Sequence, residues 1–374
     1  MRLLALRARD FRNLAHVELS ASPRATVAVG ANGQGKTNLL EAIYFLATLK
    51  PLRQSRLAEL VRFASPRAWV EGRFHLRGAE RLIAVEVSEA GTRQAFVDEK
   101  KAPSLEEYFG GVSVVAFTPD DLSVVKGGPE GRRTFLDRAV FNRFPAYLKE
   151  SRVYARALKS RNRLLKERAD PAYLSAYDEA LSSAGARLWT RRRALLEELS
   201  PRAARAFSAI GRIEAPARFS YAPSHLEVSF ADVGEPELSA ALREALRTRL
   251  ARDLERGFTS VGPHADDLTV GLGERAAKSF ASQGQQRALV LAWKIAEIEN
   301  LAAALGYLPL LLLDDVSSEL DPERNAYLME YLAQSGAQVF LTTTDPSLVK
   351  AAAGADTAWY RVKSGEVLSL HSPC

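Results

Sequence analysis

Val27-Ala28-Val29-Gly30-Ala31-Asn32-Gly33-Gln34-Gly35-Lys36-Thr37-Asn38-Leu39-Leu40 is the stretch on which the fold turns. A short β-branched run enters a loop of the form G-x-x-x-x-G-K-[ST]. Beyond the loop, Leu39, Leu40, Ile43 and Leu46 recur at helical spacing. Each letter has a chemical reason. Glycines at 30, 33 and 35 let backbone N–H groups turn inward around a polyphosphate, and the following helix adds its positive N-terminal end. Lys36 can reach the β- and γ-phosphates, and the Thr37 hydroxyl can bind Mg²⁺. The whole loop, Gly30, Ala31, Asn32, Gly33, Gln34, Gly35, Lys36, Thr37 and Asn38, is therefore read as a nucleotide site with Mg²⁺.

Working outward, strands are expected at Leu3 to Leu6, Val17 to Leu19 and Ala25 to Val29, with the polar turn Phe11-Arg12-Asn13 between the first two. Arg12 either approaches the nucleotide, being close in sequence to the loop, or marks a solvated hairpin corner. Alternating stretches at Ala68–Leu76, Leu82–Val87 and Arg93–Val97 predict antiparallel β-structure attached to the nucleotide core. Val112 to Phe117 reads as an apolar strand.

The opposite end of the chain supplies the partners this loop requires. Leu310-Leu311-Leu312-Leu313-Asp314-Asp315 is a buried strand ending in two carboxylates, the Walker B form. Asp314 would support Mg²⁺, and Asp315 is placed to polarise an attacking water. With Lys36 these two are the catalytic candidates; Thr37 and Asp314 are the metal candidates. Ser282-Gln283-Gly284-Gln285 opens an apolar helix (Leu289, Val290, Trp293, Ile295, Ile298) and makes a second anion site of N–H groups and a hydroxyl. Ser318-Glu319-Leu320-Asp321 follows the Walker B strand, and Val339 to Leu341 is one more core strand.

Between these halves the pattern is helical. Pro145 to Ile210 carries two long helices joined at Ala169-Asp170, the second running from Pro171 to about Leu199, roughly 40 Å. Its expected apolar stripe is Tyr173, Tyr177, Leu181, Ala184, Leu188 and Leu195. The first helix sets Arg152, Arg156, Lys159, Arg163 and Lys166 on one side, a stripe that either tracks a phosphate backbone or is simply solvated. Lys126, Arg132 and Arg133 gather charge at another helix start, beside the Pro129 that opens it. Strands at Arg218–Tyr221 and Leu226–Phe230, then a helix from Glu237 to Arg256, complete this region. Gly262-Pro263-His264-Ala265-Asp266-Asp267 lacks metal-ligand spacing and reads as a structural turn. The domain expectation is 1–118 with 295–374 for the ATPase head, and 119–294 for the helical arm and signature lobe.

Composition bounds these readings. At 374 residues, 47% hydrophobic and 26% charged, the chain has the make-up of a soluble globular protein of two lobes. Its apolar runs, Leu308 to Leu313 with its break at Pro309 among them, are far too short to span a bilayer. Arginines at 2, 7, 9 and 12 interrupt any signal-peptide core, and the single cysteine, Cys374, fits a reducing cytoplasm. A formal charge of +6 suits an anionic partner.

The order of Lys36, Ser282-Gln283-Gly284-Gln285, Asp314-Asp315 and Ser318 to Asp321 resembles that of the ATP-binding-cassette superfamily. Here Gln283 replaces a usual glycine of the signature, and Asp315 replaces the usual Glu, whose longer arm sits nearer the water; slow hydrolysis is expected. Further stretches carry the resemblance to the RecF family of bacterial DNA replication and repair proteins. They are Phe11-Arg12-Asn13, Asn32 through Ile43, Pro119-Asp120-Asp121-Leu122, Lys126-Gly127-Gly128-Pro129 with Arg132-Arg133 and Phe135-Leu136-Asp137, Gly262-Pro263-His264, Ser282 through Arg287, and Leu313 through Asp321. Ala265 departs from it, standing where an Arg is usual. The resemblance implies an α/β P-loop head of ABC type, with mixed sheets around the Walker A helix, an inserted and mainly helical second lobe, and a short antiparallel helical arm. It also implies an ATP-dependent homodimer that clamps double-stranded or gapped DNA and acts with RecR and RecO to load RecA, with no membrane partner. A transporter ATPase subunit is the rival reading; the absence of a His after Val339–Leu341 and the long helical arm count against it. A small-molecule P-loop kinase would leave the Ser282 segment unexplained.

Overall fold

The structure is a computed structural model and describes the chain except at residues 54, 105–107, 109–111, 212–214, 226–232 and 372–374. Two compact units partition it, Met1–Leu122 with Ile298–Cys374, and Ser123–Glu297.

The first unit holds two six-stranded sheets. Strands β1 (Arg2–Phe11), β2 (Leu14–Ser20), β4 (Arg67–Leu76), β5 (Ala79–Ser88), β6 (Arg93–Val97) and β7 (Lys100–Lys101) form an antiparallel sheet in the order β2-β1-β4-β5-β6-β7. Alternation explains it: Ala68, Val70 and Phe74 are buried while Arg67, Arg73 and His75 face out. The second sheet contains β3 (Ala25–Val29), β8 (Val114–Phe117), β12 (Leu310–Asp314), β13 (Val339–Thr343), β14 (Ala358–Lys363) and β15 (Glu366–Leu370), ordered β15-β14-β3-β13-β12-β8. Its pairs β14–β3, β3–β13, β13–β12 and β12–β8 are parallel. Parallel strands are covered on both faces, which is why Leu310 to Leu313 is continuously apolar and at most 1% exposed.

Helix α1 (Lys36–Thr48) touches strands of both sheets. Every one of its thirteen residues except Thr37 and Asn38 is buried, the pattern of a helix enclosed on all sides. It ends at Leu49, whose left-handed backbone (φ 55°) lets its N–H bond the Phe45 carbonyl before Pro51 is reached. In this layered α/β head with an inserted second unit, α1 fixes the phosphate loop against the sheet edge.

The second unit is built on helices α3 (Pro129–Arg143), α4 (Tyr147–Lys166), α5 (Pro171–Gly211), α6 (Glu235–Thr248) and α7 (Leu250–Arg256), α2 being the single turn Pro119–Leu122 of the first unit. A three-stranded sheet, β11 (Arg275–Ala276), β10 (Asp267–Leu272) and β9 (Ala217–Ala222), accompanies them. Beyond α8 (Ala277–Phe280), helix α9 (Gln283–Leu305) carries the chain back into the first unit, where α10 (Val316–Glu319) and α11 (Pro322–Ser335) follow.

Three expectations change here. Helix α5 does not stop before Ser200-Pro201 but continues to Gly211, 41 residues or about 60 Å. An interior proline costs about 3 kcal/mol. That cost is offset because Leu199, Ala203, Phe207 and Ile210 keep a buried face running across it, and Ser200 donates to the Phe219 carbonyl of β9 at 3.0 Å. Tyr173 (68% exposed) and Tyr177 (39%) fall outside the buried stripe, which starts at Leu174 and Leu181. The helix read as Glu237–Arg256 is two, broken at Arg249, whose Nε donates to Ser260 Oγ at 2.9 Å. The strand expected at Leu226–Phe230 lies outside the described residues.

Candidate functional site

A cavity of about 720 Å³ opens over the phosphate loop. Asn32, Gly33, Gly35, Lys36, Thr37 and Asn38 line one part of it, Asp314, Asp315 and Pro119 another, and Arg12, Asn13, Arg53, Glu59, Val61 and Phe63 the remainder. All belong to the first unit. Strand β3 leads into the loop, α1 leads out of it, and β12 delivers the two carboxylates, so the parallel sheet brings residues 278 positions apart to one edge.

Lys36 is buried, and its Nζ donates to the carbonyls of Gly30 (2.6 Å) and Ala31 (3.0 Å). Burial lowers its pKa, opposed by the nearby charges of Asp315 and Asp314. Thr37 Oγ1 donates to Asp314, 2.7 Å from Oδ1 and 2.9 Å from Oδ2, and Thr342 Oγ1 adds a bond of 2.9 Å to Oδ1. Burial raises the Asp314 pKa, while these hydroxyls partly hold it down. A hydroxyl and a carboxylate in contact are an all-oxygen donor pair suited to a hard divalent cation such as Mg²⁺. Asp315 sits in the left-handed region (φ 50°), fixed by its amide bonds to the Thr342 carbonyl (3.2 Å) and hydroxyl (2.9 Å). Its Oδ1 is buried without a donor among the described residues. An acceptor left unsatisfied at such a place can take a hydrogen bond from a water or ligand in the cavity.

The loop is held from behind by Asn13 and by the β14–β15 turn. Asn13 Nδ2 donates to the Gln34 carbonyl (3.2 Å), and Asn13 Oδ1 accepts from Asn38 Nδ2 (2.8 Å). The β14–β15 turn adds two bonds, Gly365 N to the Gln34 carbonyl (2.8 Å) and Ser364 N to Gln34 Oε1 (2.7 Å). Gly35 takes φ 113°, and a Cβ there would press on the Asn13 amide, so only glycine closes this loop without strain. Gln34 thus serves as the anchoring point of the loop.

Arg12 does reach the cavity, but its guanidinium is committed to Glu41, a fully buried carboxylate of α1, at 2.8 Å (Nε–Oε2) and 3.1 Å (Nη2–Oε1). Ser55 Oγ (2.7 Å) and the Glu59 carbonyl (2.9 Å) take its other donors. Glu41 also accepts from the Leu52 amide (3.0 Å), and Arg53 bridges from it (3.4 Å) to Asn38 Oδ1 (2.6 Å). A buried charge with this many donors ties the Walker A helix to Leu52 and Arg53, and through Arg12 to Ser55.

Ser282, Gln283, Gly284 and Gln285 belong to the second unit and are not among the residues lining the cavity. They form a capping box at the start of α9: Gln285 N donates to Ser282 Oγ (3.2 Å) and Ser282 N to Gln285 Oε1 (2.8 Å). Ser282 and Gln283 are exposed. Asp321 caps α11 through the Arg324 amide (3.1 Å) and also pairs with the Arg324 side chain; it does not line the cavity either. Of the charges expected to collect at the start of α3, Lys126 is exposed, while the two arginines turn to partners inside the second unit. Arg132 pairs bidentately with Asp267 (2.8 and 2.7 Å), and Arg133 donates to the Asp266 carbonyl.

The Gly262-Pro263-His264 turn is structural. His264 bonds Tyr154 (2.6 Å) and the Thr259 carbonyl (2.9 Å), and burial lowers its pKa. Asp266 accepts from Trp189 Nε1, Tyr221 and the Ser224 amide, while Arg192 joins Asp137, Tyr221 and the Pro263 carbonyl. Ala265 contributes only backbone bonds, to Gly262 and Ser224. Among the described residues no group of three or more His, Cys, Asp or Glu is placed to hold a metal, and no helix is long and apolar enough to cross a membrane. The α4 stripe, Arg152, Arg156, Lys159, Arg163 and Lys166, is exposed as read.

The chain matches the family described as RecF/RecN/SMC N terminal domain over residues 2–366. It is 70% identical over 369 residues to the DNA replication and repair protein RecF of Myxococcus xanthus (strain DK1622), covering 98% of this chain and 97% of that one. The protein of the same name from Anaeromyxobacter sp. (strain Fw109-5) is 58% identical over the full length of both. Among solved structures, the recombination mediator protein RecF-ATP of the RecFOR pathway superposes with a TM-score of 0.87 at 31% identity, covering 98% of this chain and 97% of that one. An Smc head bound to the C-winged helix domain of ScpA shares the fold, with a TM-score of 0.56 at 16% identity over 99% of this chain and 97% of that one. The chain belongs to the RecF family, with the ATPase head fold of SMC type.

Proposed function

We propose that this RecF-family chain is an ATP-dependent DNA-binding protein of replication and recombinational repair. ATP occupies the cavity over Gly30–Asn38, two copies close around the nucleotide, and the closed dimer clamps double-stranded or gapped DNA. Slow hydrolysis to ADP and phosphate releases it. The observation that carries this reading is the contact of Thr37 with Asp314 at 2.7 Å beside a buried Lys36, a triphosphate and Mg²⁺ site assembled from both ends of the chain. The names of relatives, RecF and the RecFOR pathway, supply the setting, with RecO and RecR as partners; RecA loading is the outcome this reading assigns.

Lys36 binds the β- and γ-phosphates in exchange for the Gly30 and Ala31 carbonyls. Thr37 and Asp314 hold Mg²⁺, which supplies charge neutralisation at the phosphates. Asp315, with its unsatisfied oxygen, orients water; its short arm keeps turnover slow. Ser282, Gln283, Gly284 and Gln285 of one copy, with Asp321, complete the site of the other. The exposed helix start at Ser282, an anion-binding end on the second unit, supports that arrangement.

The test is DNA retention on duplex and gapped substrates with ATP, with ADP and without nucleotide. ATP-dependent retention is expected. Equal retention in all three conditions overturns the switch.

A further inference from the structure

Phe63 is 96% exposed, the most exposed of the large apolar side chains among the described residues, and it lines the nucleotide cavity. Its backbone is nevertheless pinned on both sides. Val61 bridges Phe11 of β1, Arg12 N donates to the Leu60 carbonyl at 2.7 Å, and Arg62 N donates to the Asp10 carbonyl at 2.8 Å. Ser65 N closes the turn onto the Arg62 carbonyl at 3.0 Å, and the Arg62 guanidinium pairs with Asp10 at 3.5 Å. A bare aromatic ring on an anchored turn is a platform rather than a piece of core.

The rest of the cavity says what the platform would meet. Asn32 to Asn38, Asp314 and Asp315 provide for phosphate and cation, whereas Val61 and Phe63 offer apolar surface. At about 720 Å³ the cavity is of the size that holds a whole small-molecule ligand rather than its charged tail alone. We infer that Phe63 is the base-stacking residue of this nucleotide site: the purine ring of the bound triphosphate lies on its face. Stacking uses the π-face that every purine has, so the contribution is shared by adenine and guanine nucleotides. The inference rests on the ATP reading above.

Calorimetric titration of the full chain with ATP, GTP and inorganic tripolyphosphate, each with Mg²⁺, tests it. Tripolyphosphate carries the phosphates without a base. Phe63→Ala is expected to weaken ATP and GTP about tenfold in parallel and to leave tripolyphosphate within about twofold, while Phe63→Tyr restores both nucleotides. Unchanged ATP affinity in Phe63→Ala overturns the inference, as does an equal loss for tripolyphosphate, which would mean a damaged phosphate loop. A loss that appears only at high protein concentration also overturns it, because the ring would then belong to a contact between copies. If the unaltered chain binds neither ATP nor tripolyphosphate, the ATP reading itself has failed.

Discussion

Lys36 donates to two loop carbonyls that a phosphate must displace, so its role is tested by removing the amine while keeping the length. Lys36→Met is expected to abolish ATP binding, ATP-dependent dimerisation and DNA retention together; dimerisation that persists with ATP contradicts a shared site. Asp315→Glu lengthens the arm by one methylene and should raise the rate of phosphate release at saturating ATP about tenfold. An unchanged rate would show that arm length does not limit turnover. Asp314 gives a pH prediction. Burial raises its native pKa above the unfolded value, so only at a pH between the two does the native carboxyl hold a proton that the unfolded chain has lost. This contribution to stability is therefore present at low pH and lost as pH rises through the native pKa. Asp314→Asn removes the cost of the buried charge: the thermal midpoint of the nucleotide-free protein at neutral pH should rise by about 2 °C while Mg²⁺-dependent nucleotide binding disappears. A lower midpoint would mean the hydrogen bonds of Thr37 and Thr342 outweigh desolvation.

At the scale of elements, α4 and α5 pack as an antiparallel pair that leaves Arg152, Arg156 and Lys159 in solvent. If these charges meet phosphates, replacing all three by Gln should reduce the slope of log affinity against log salt by about 2.7, near 0.9 per phosphate on duplex DNA. An unaltered slope makes the stripe a solvated face. The turn between β14 and β15 is the other element with a functional consequence. Gly365 has φ 83°, and a Cβ there would collide with the Asn13 carbonyl behind the phosphate loop. Gly365→Ala should therefore push the turn off Asn13, weaken ATP binding several-fold and lower the thermal midpoint by several degrees, because a clash with backbone at positive φ costs more than ~1 kcal/mol. A collapse of the Gly365→Ala thermal midpoint measured without nucleotide would argue for general unfolding instead.

At the scale of the molecule, the two units carry separate halves of the proposed nucleotide sandwich: the phosphate loop and carboxylates in one, the Ser282 helix start in the other. Ser282→Arg should leave ATP binding to a single copy in place and prevent ATP-induced dimerisation, which light scattering reads directly. A dimer that forms normally with ATP removes Ser282 from the interface. The parallel sheet matters on this scale because its strand order, β3-β13-β12, is what places Asp314 against Thr37.

Periodicity and motif spacing were enough to establish Gly30–Asn38, the Walker B strand, the start of α9 and the helical insertion, because each is local: a run of residues whose own backbone makes the feature. Local reading also placed helix ends wrongly where packing outweighs propensity, as at Pro201, whose cost is offset by buried Leu199, Ala203 and Phe207. Other facts exist only once distant strands meet. Glu41 commits Arg12, Asn13 and the 364–365 turn brace Gln34, Arg132 and Arg133 are spent on Asp267 and Asp266, and Phe63 stands bare beside the phosphate loop. Such pairings join residues tens to hundreds of positions apart, and no spacing rule reaches across a sheet; only the folded arrangement of strands decides which charge finds a partner and which ring is left in water.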